Sequence, residues 1–135
     1  MKPALIDTDV LSMFFRNIPR VTQQFERYLS EYSQINFSIL TFYEIVSGLK
    51  HRDARKQLDE FRSFSNDNRI VPISRGSCNI STDIYADLRS RGQPIGDIDI
   101  LIAGSAITNN LVLVTHNTRH FERIENLTIE DWNIL

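Results

Sequence analysis

Five carboxylates stand at or just beyond predicted strand-to-helix junctions. They are Asp7 and Asp9 in the run Leu5-Ile6-Asp7-Thr8-Asp9, Glu44 after Thr41-Phe42-Tyr43, and Asp97 and Asp99 after Gly96. A fourth junction, Val114-Thr115-His116-Asn117, supplies polar groups but no acid. Strand ends from distant parts of a chain converge on one cleft of an α/β sheet. Close carboxylates repel and raise one another's pKa, so such a cluster calls for a cation. An all-oxygen donor set suits Mg²⁺, with Mn²⁺ as a substitute. The matching chemistry is metal-assisted phosphoester hydrolysis, in which the ion activates water and stabilises the leaving oxygen. No side-chain nucleophile and no Gly-rich phosphate loop is needed, and the chain has neither a P-loop nor a nucleophile elbow.

Each acid also has an ordinary structural explanation. Thr41 and Glu44 have the spacing of a capping box. Asp97 follows Gly96 as an N-cap candidate, and Asp99 falls in the first helical turn, where the helix dipole favours acids. Asp7 is placed to cap the next helix, and Asp9 to be solvated. Capping does not explain why an apolar strand ends on Asp7, or why three helix starts on one sheet edge all carry acids. Other chemistry fits less well. His116 and His120 have a zinc-compatible spacing but no third ligand nearby. Cys78 is alone and reads as packing, His51 as a solvated helix end. Arg89 and Arg91, before the Gly96-Asp97-Ile98-Asp99 segment, are placed to contact phosphate or simply to end a helix.

The elements that must position these groups alternate. Ala4-Leu5-Ile6 reads as a buried strand, and Pro19–Tyr32 as a helix with Val21, Phe25, Tyr28, Leu29 and Tyr32 near helical spacing. Ile35, Phe37 and Ile39 alternate with polar Asn36 and Ser38, as in a strand. Helices follow over Thr41–Leu49 and Arg52–Phe64, the latter with Leu58, Phe61 and Phe64 in a stripe. Arg69–Ile73 is a strand, and Ser77–Arg91 a helix stopped by Gly92 and Pro94. Asp97–Asn109 is a helix of small residues suited to close packing. Leu111–Thr115, apolar without alternation, is the clearest buried parallel strand. A short helix over Thr118–Ile124 and a strand over Leu127–Trp132 follow. The pattern implies an α/β fold with a mainly parallel central sheet flanked by helices.

With 135 residues, the chain is expected to be one domain over 1–135 with a substantial core. Hydrophobic and charged fractions of 41% and 24% are those of a soluble globular protein. No run approaches a membrane span. The acidic N-terminus does not read as a signal peptide, and a single cysteine suits a reducing cytoplasm. Net charge is −2, but setting the five clustered acids aside leaves 12 acids against 15 Lys and Arg. A phosphate-backbone substrate is therefore not excluded.

Beyond these readings, the chain resembles PIN-domain ribonucleases, specifically the small VapC toxins of type II toxin–antitoxin systems. The resemblance runs end to end. It rests on LIDTDVL at the N-terminus, S-x-L-T-x-x-E-I-x-x-G-L at 38–49, GQPIGDIDILIA at 92–103, and LVLVTHNTRHFERIENL-x-I-E-DW at 111–132. It implies a three-layer PIN-like fold in which Asp7, Glu44 and Asp99 form the catalytic, metal-binding triad. Asp99 rather than Asp97 matches, because the family acid directly precedes the apolar helix. Asp9, Asp97, Thr115 and Asn117 become supporting groups; many PIN domains have a fourth acid near Asn117, and this chain does not. The resemblance further implies a Mg²⁺-dependent endoribonuclease that leaves 5′-phosphate and 3′-hydroxyl ends on tRNA or rRNA. It also implies a homodimer, and a VapB-like antitoxin forming a heterotetramer or larger complex. Two alternatives stand beside it. One is a catalytically weak PIN fold that only binds RNA or a partner. The other is a receiver-like phosphatase, which would need a Lys near the Leu111–Thr115 strand, whereas lysines occur only at positions 2, 50 and 56.

Overall fold

Strand β1 (Ala4–Ile6) lies at the centre of a five-stranded sheet of order β3-β2-β1-β4-β5, every pair parallel. Its partners are β2 (Asn36–Ser38) and β4 (Val112–Val114), with β3 (Arg69–Val71) and β5 (Ile129–Glu130) at the edges. The computed structural model describes residues 1–134. Period-two alternation sends Ala4, Ile6, Val112 and Val114 to one face and Leu5 and Leu113 to the other. The first face is covered by α1 (Thr8–Phe15), α2 (Pro19–Leu29), α3 (Ile39–His51) and α4 (Arg55–Asp67) through Leu11, Phe25, Val46 and Phe61. The second is covered by α5 (Arg75–Ser90), α6 (Asp97–Thr108) and α7 (Thr118–Phe121) through Leu88, Ile102, Ala103 and Phe121. Both faces being buried is what parallel strands require. The expected three-layer arrangement is present.

Strand order fixes where a site can form. From β1 the chain steps outward to β2 and β3, then crosses back to β4 and β5 on the other side. The reversal lies between β1 and β4, and the crevice beyond the carboxyl ends of such strands is where α/β sheets bind ligands. Asp7 and Thr115 directly follow those two ends.

Several local readings are corrected. The sequence reading assigned no range to helix α1, although it placed Asp7 as a cap; Asp7 does cap α1, its carboxylate accepting from Thr8 N–H at 2.8 Å. Thr41 and Glu44 do not form a capping box. Helix α3 starts two residues earlier, capped by Ser38, whose Oγ accepts from Leu40 N–H at 3.1 Å. Gly96, not Asp97, is the N-cap of α6. Ile39, read with the strand, starts α3 instead, and all of β2 is buried, with Asn36 Nδ2 donating to Ala4 O at 3.0 Å. No helix among the described residues is long and apolar enough to cross a membrane.

Helices α5 and α6 meet at Gly104. A Cβ there would lie 2.0 Å from Ser81 Oγ and 2.7 Å from Ser77 O. Gly→Ala in a helix ordinarily gains about 1 kcal/mol. Here overpacking against backbone decides the sign, and Gly104→Ala is expected to cost about 1–3 kcal/mol net in urea unfolding.

Candidate active site

The site grows from the end of β1. Asp7 is 5% exposed, so its carboxylate is taken out of water almost completely. Its Oδ1 accepts from Thr8 N–H at 2.8 Å, and its Oδ2 from the Thr115 hydroxyl at 2.8 Å. Burial, then the charge of Asp9, then more weakly that of Asp99, push its pKa from 3.8 up to about 7, against the lowering effect of the two hydrogen bonds. Asp9 is shifted upward as well, chiefly by burial. Its Oδ1 accepts from Val10 N–H at 2.7 Å and its Oδ2 from His116 N–H at 3.1 Å, which offsets part of that shift.

Thr8 ties Asp7 to the next acid. Its hydroxyl donates to Glu44 Oε1 at 2.6 Å and shares a hydrogen bond with the Thr41 hydroxyl at 3.0 Å. Thr41 is fully buried one turn before Glu44 on α3, so it fixes Thr8 rather than the helix end. The sequence marked Thr41 only as a helix cap, and Thr8 not at all. The contacts join residues 33 and 36 positions apart, and no local spacing signals them.

Helix α6 brings Asp97 and Asp99, two positions apart and therefore on nearly opposite faces. Asp99 is half-buried on the Asp7 side, with its Oδ2 3.5 Å from His120 Nδ1. Asp97 is exposed and lines a separate cavity with Cys78 and Tyr85. Asn117 reaches this rim: its Nδ2 lies 2.9 Å from His120 Nδ1, and its backbone N–H donates to Thr115 Oγ1 at 3.1 Å.

The two histidines part company. His116 Nδ1 lies 2.9 Å from Asp131 Oδ2 at the end of β5, whereas His120 faces Asp99. Helix α7 begins only at Thr118, so their four-residue spacing never becomes a shared helical face. Arg91 is held by Asp87 at 2.8 Å, and the Arg89 guanidinium lies over the Tyr85 ring at 4.6 Å. Both behave as helix-end charges.

The donor set is carboxylate and hydroxyl oxygen, the preference of hard divalent cations. Among the described residues no three His, Cys, Asp or Glu side chains are grouped closely enough to hold one ion by themselves. Mg²⁺ fits that arrangement, since it keeps several waters and takes one or two protein carboxylates directly. A buried carboxylate beside two other acids is also where a cation relieves the most repulsion.

Known proteins share this architecture. The PIN domain family profile matches residues 4–127. The chain is 30% identical over 129 residues to a tRNA(fMet)-specific endonuclease VapC of Salmonella typhimurium, covering 95% of this chain and 96% of that protein. It is 28% identical over 130 residues to a protein of the same description from Shigella flexneri, covering 96% and 97%. A crystal structure of VapBC2 from Rickettsia felis bound to a promoter DNA fragment matches with a TM-score of 0.87 at 24% identity, covering 96% and 98%; at that identity it shows the fold alone.

Proposed function

The chain belongs to the PIN domain family, among its VapC ribonucleases, and from that membership we propose that it is the toxin of a toxin–antitoxin pair, cutting RNA at the Asp7–Glu44–Asp99 site with Mg²⁺ or Mn²⁺. One observation carries the assignment of the site. Asp7 is buried at the sheet's switch point with Asp9 and Asp99 near enough to push its pKa up, and the end of β1 offers no apolar reason for an acid there.

Asp7, Asp99 and Glu44 are the residues that would hold the ion, one or two of them directly and the rest through its waters. When bound, it supplies positive charge to the scissile phosphate, the attacking water and the leaving 3′ oxygen, giving 5′-phosphate and 3′-hydroxyl ends. The chain's own residues prepare the site. Thr115 and the Thr8 N–H fix both oxygens of Asp7. The Thr8 hydroxyl, held by Thr41, fixes Glu44. Gly96 starts α6 without a side-chain cap, and Asp97 and Asp99 stand in its first turn. His116 N–H keeps Asp9 turned inward, and Asn117 and His120 border Asp99. Asp97, on the far side of α6, acts from outside this shell.

The names of the relatives point to tRNA as the first substrate class to test, and the resemblance to the toxin family adds rRNA as the second. A solved VapBC complex from Salmonella typhimurium, 28% identical to this chain, supports a VapB-like antitoxin as partner, with the chain read as a homodimer in a heterotetramer or larger complex. A cytoplasmic location follows from that partnership and substrate. The proposal is tested on antitoxin-free protein incubated with tRNA and rRNA in Mg²⁺, Mn²⁺ or chelator, with the ends of the products mapped. Cuts that need the ion and leave 5′-phosphates are expected. Cleavage unaffected by chelator, or RNA binding without cuts in either metal, would sink it and favour the binding-only reading.

A smaller test concerns Thr8. Thr8→Val removes the hydroxyl that orients Glu44 while keeping its volume. Cleavage is expected to fall about 10–100-fold, and stability by about 1–3 kcal/mol, because the buried Thr41 hydroxyl loses its partner.

A further inference from the structure

We propose that the cleft between α1, α3 and α4 is a nucleotide subsite, taking the base next to the scissile phosphate and gripping the flanking backbone with Arg16 and Arg52. The inference rests on the reading of the acids as an RNA-cleaving site. The cleft has a volume of about 400 Å³, within the range of small-molecule pockets.

Position is the first argument. Thr8 and Glu44, two groups of the acid site, are also walls of this cleft. An RNA with one phosphate on the acids must send its neighbouring nucleotide along the adjoining surface, and this cleft adjoins. Two other cavities are less suitable. One is bordered by Asp83, Asp87 and Glu125 with no basic residue, which repels phosphate. The other is bordered by Asp97 and again has no basic residue.

Charge is the second. Arg16 and Arg52 are the C-cap residues of α1 and α3, on either side of the cleft. Cations at helix C-termini are common for dipole reasons alone. Here, among the described residues, neither guanidinium makes an ion pair or side-chain hydrogen bond, so both remain available for bidentate phosphate contact. Gly48 makes room for one of them: a Cβ there would stand 3.4 Å from Arg52 Nη1.

The third is the apolar wall. Phe15 is 37% exposed, yet its ring is held edge-on by Phe61 at 5.6 Å and Phe64 at 5.0 Å. A fixed, partly open aromatic ring is what a base stacks on, and such stacking tolerates any base. Gln57 and Glu60, three apart on α4, line the same cleft and offer polar groups to a base edge.

The test measures cleavage kinetics and base preference for wild type, Arg16→Ala, Arg52→Ala and Phe15→Leu. The two arginines are exposed, so their removal spares the core, and Leu keeps apolar bulk at position 15. Each arginine variant is expected to raise KM about tenfold with kcat nearly unchanged, and to lower the salt slope of RNA binding by about one. Phe15→Leu is expected to weaken binding of RNA that extends past the cut on one side only. If wild type cuts RNA and all three variants match it in KM, salt slope and base preference, the subsite is wrong while the nuclease stands. Variants that lose affinity only for an antitoxin peptide would make the cleft a protein-binding groove and overturn the proposal. Failure of wild type to cut RNA removes the active site and the subsite together.

Discussion

Exchanging Asp99 for Asn is expected to reduce RNA cleavage on the order of 10³-fold and to weaken divalent-ion binding in the same variant, with the chain still folded. Asn keeps the shape of Asp99 but removes the negative charge that faces Asp7 across the crevice. The loss is large because the charge acts where transition-state charge develops, in a site screened little by water. Asp97→Asn, two residues away, is expected to change cleavage less than tenfold. That side chain is exposed on the opposite side of α6 and borders the cavity of Cys78 and Tyr85. The contrast between neighbouring acids of one helix separates a site-specific effect from a general loss of negative charge. Calorimetric titration with Mg²⁺ or Mn²⁺ beside the cleavage assay checks both halves.

The second large effect is on stability, and it has the opposite sign. Asp7 carries a carboxyl pushed up to about 7 in the folded chain, from an ordinary value of 3.8. Below about pH 4 the group is protonated folded and unfolded, and it costs nothing. Between pH 4 and 7 the unfolded chain releases the proton while the folded chain keeps it, so stability falls as pH rises. Above pH 7 the carboxylate is ionised in both states and the full penalty is present. Three pKa units correspond to about 4 kcal/mol. Asp7→Asn removes the penalty and keeps an acceptor for the Thr8 N–H. Without metal, it is expected to raise stability by on the order of 3 kcal/mol at pH 8 and by almost nothing at pH 4. Adding Mg²⁺ reverses the order, since only the carboxylate gains from the ion, by an amount that grows with its concentration. Thermal unfolding at the two pH values, with and without Mg²⁺, measures all four corners. A variant less stable than wild type at pH 8 without metal would mean that Asp7 is a structural cap and no more.

How much of this was written in the sequence depends on the range of the interaction. The buried strands at Ala4–Ile6 and Val112–Val114 were legible because parallel strands are apolar on both faces. Helix α6 was legible from its small residues and the acids at its start. Helix α1 was not, because Thr8–Phe15 has no clean helical periodicity. It forms because Asp7 caps it and because Val10 and Leu11 pack into the core. The capping-box spacing of Thr41 and Glu44 misled for a related reason. Ser38 already caps α3, which frees Thr41 and Glu44 to meet Thr8 across the crevice. The acids of the candidate site could be picked out by type and by resemblance to a family. Of the hydroxyls that hold them, Thr115 was picked out by the resemblance alone and Thr8 not at all, since Thr8–Glu44 and Thr115–Asp7 are contacts made only by the fold. Asp97 and Asp99 were separable in principle, as a two-residue offset on a helix puts them on different faces.

The central claim is that this site cuts RNA through its acids, and expression in growing bacteria tests it most directly. Wild type and Asp99→Asn would be induced in parallel, and total RNA sequenced for new 5′-phosphate ends. The account predicts growth arrest and discrete new ends with wild type alone, clustered at a few positions in tRNA or rRNA. Equal arrest by both proteins, or the same new ends from both, would contradict it.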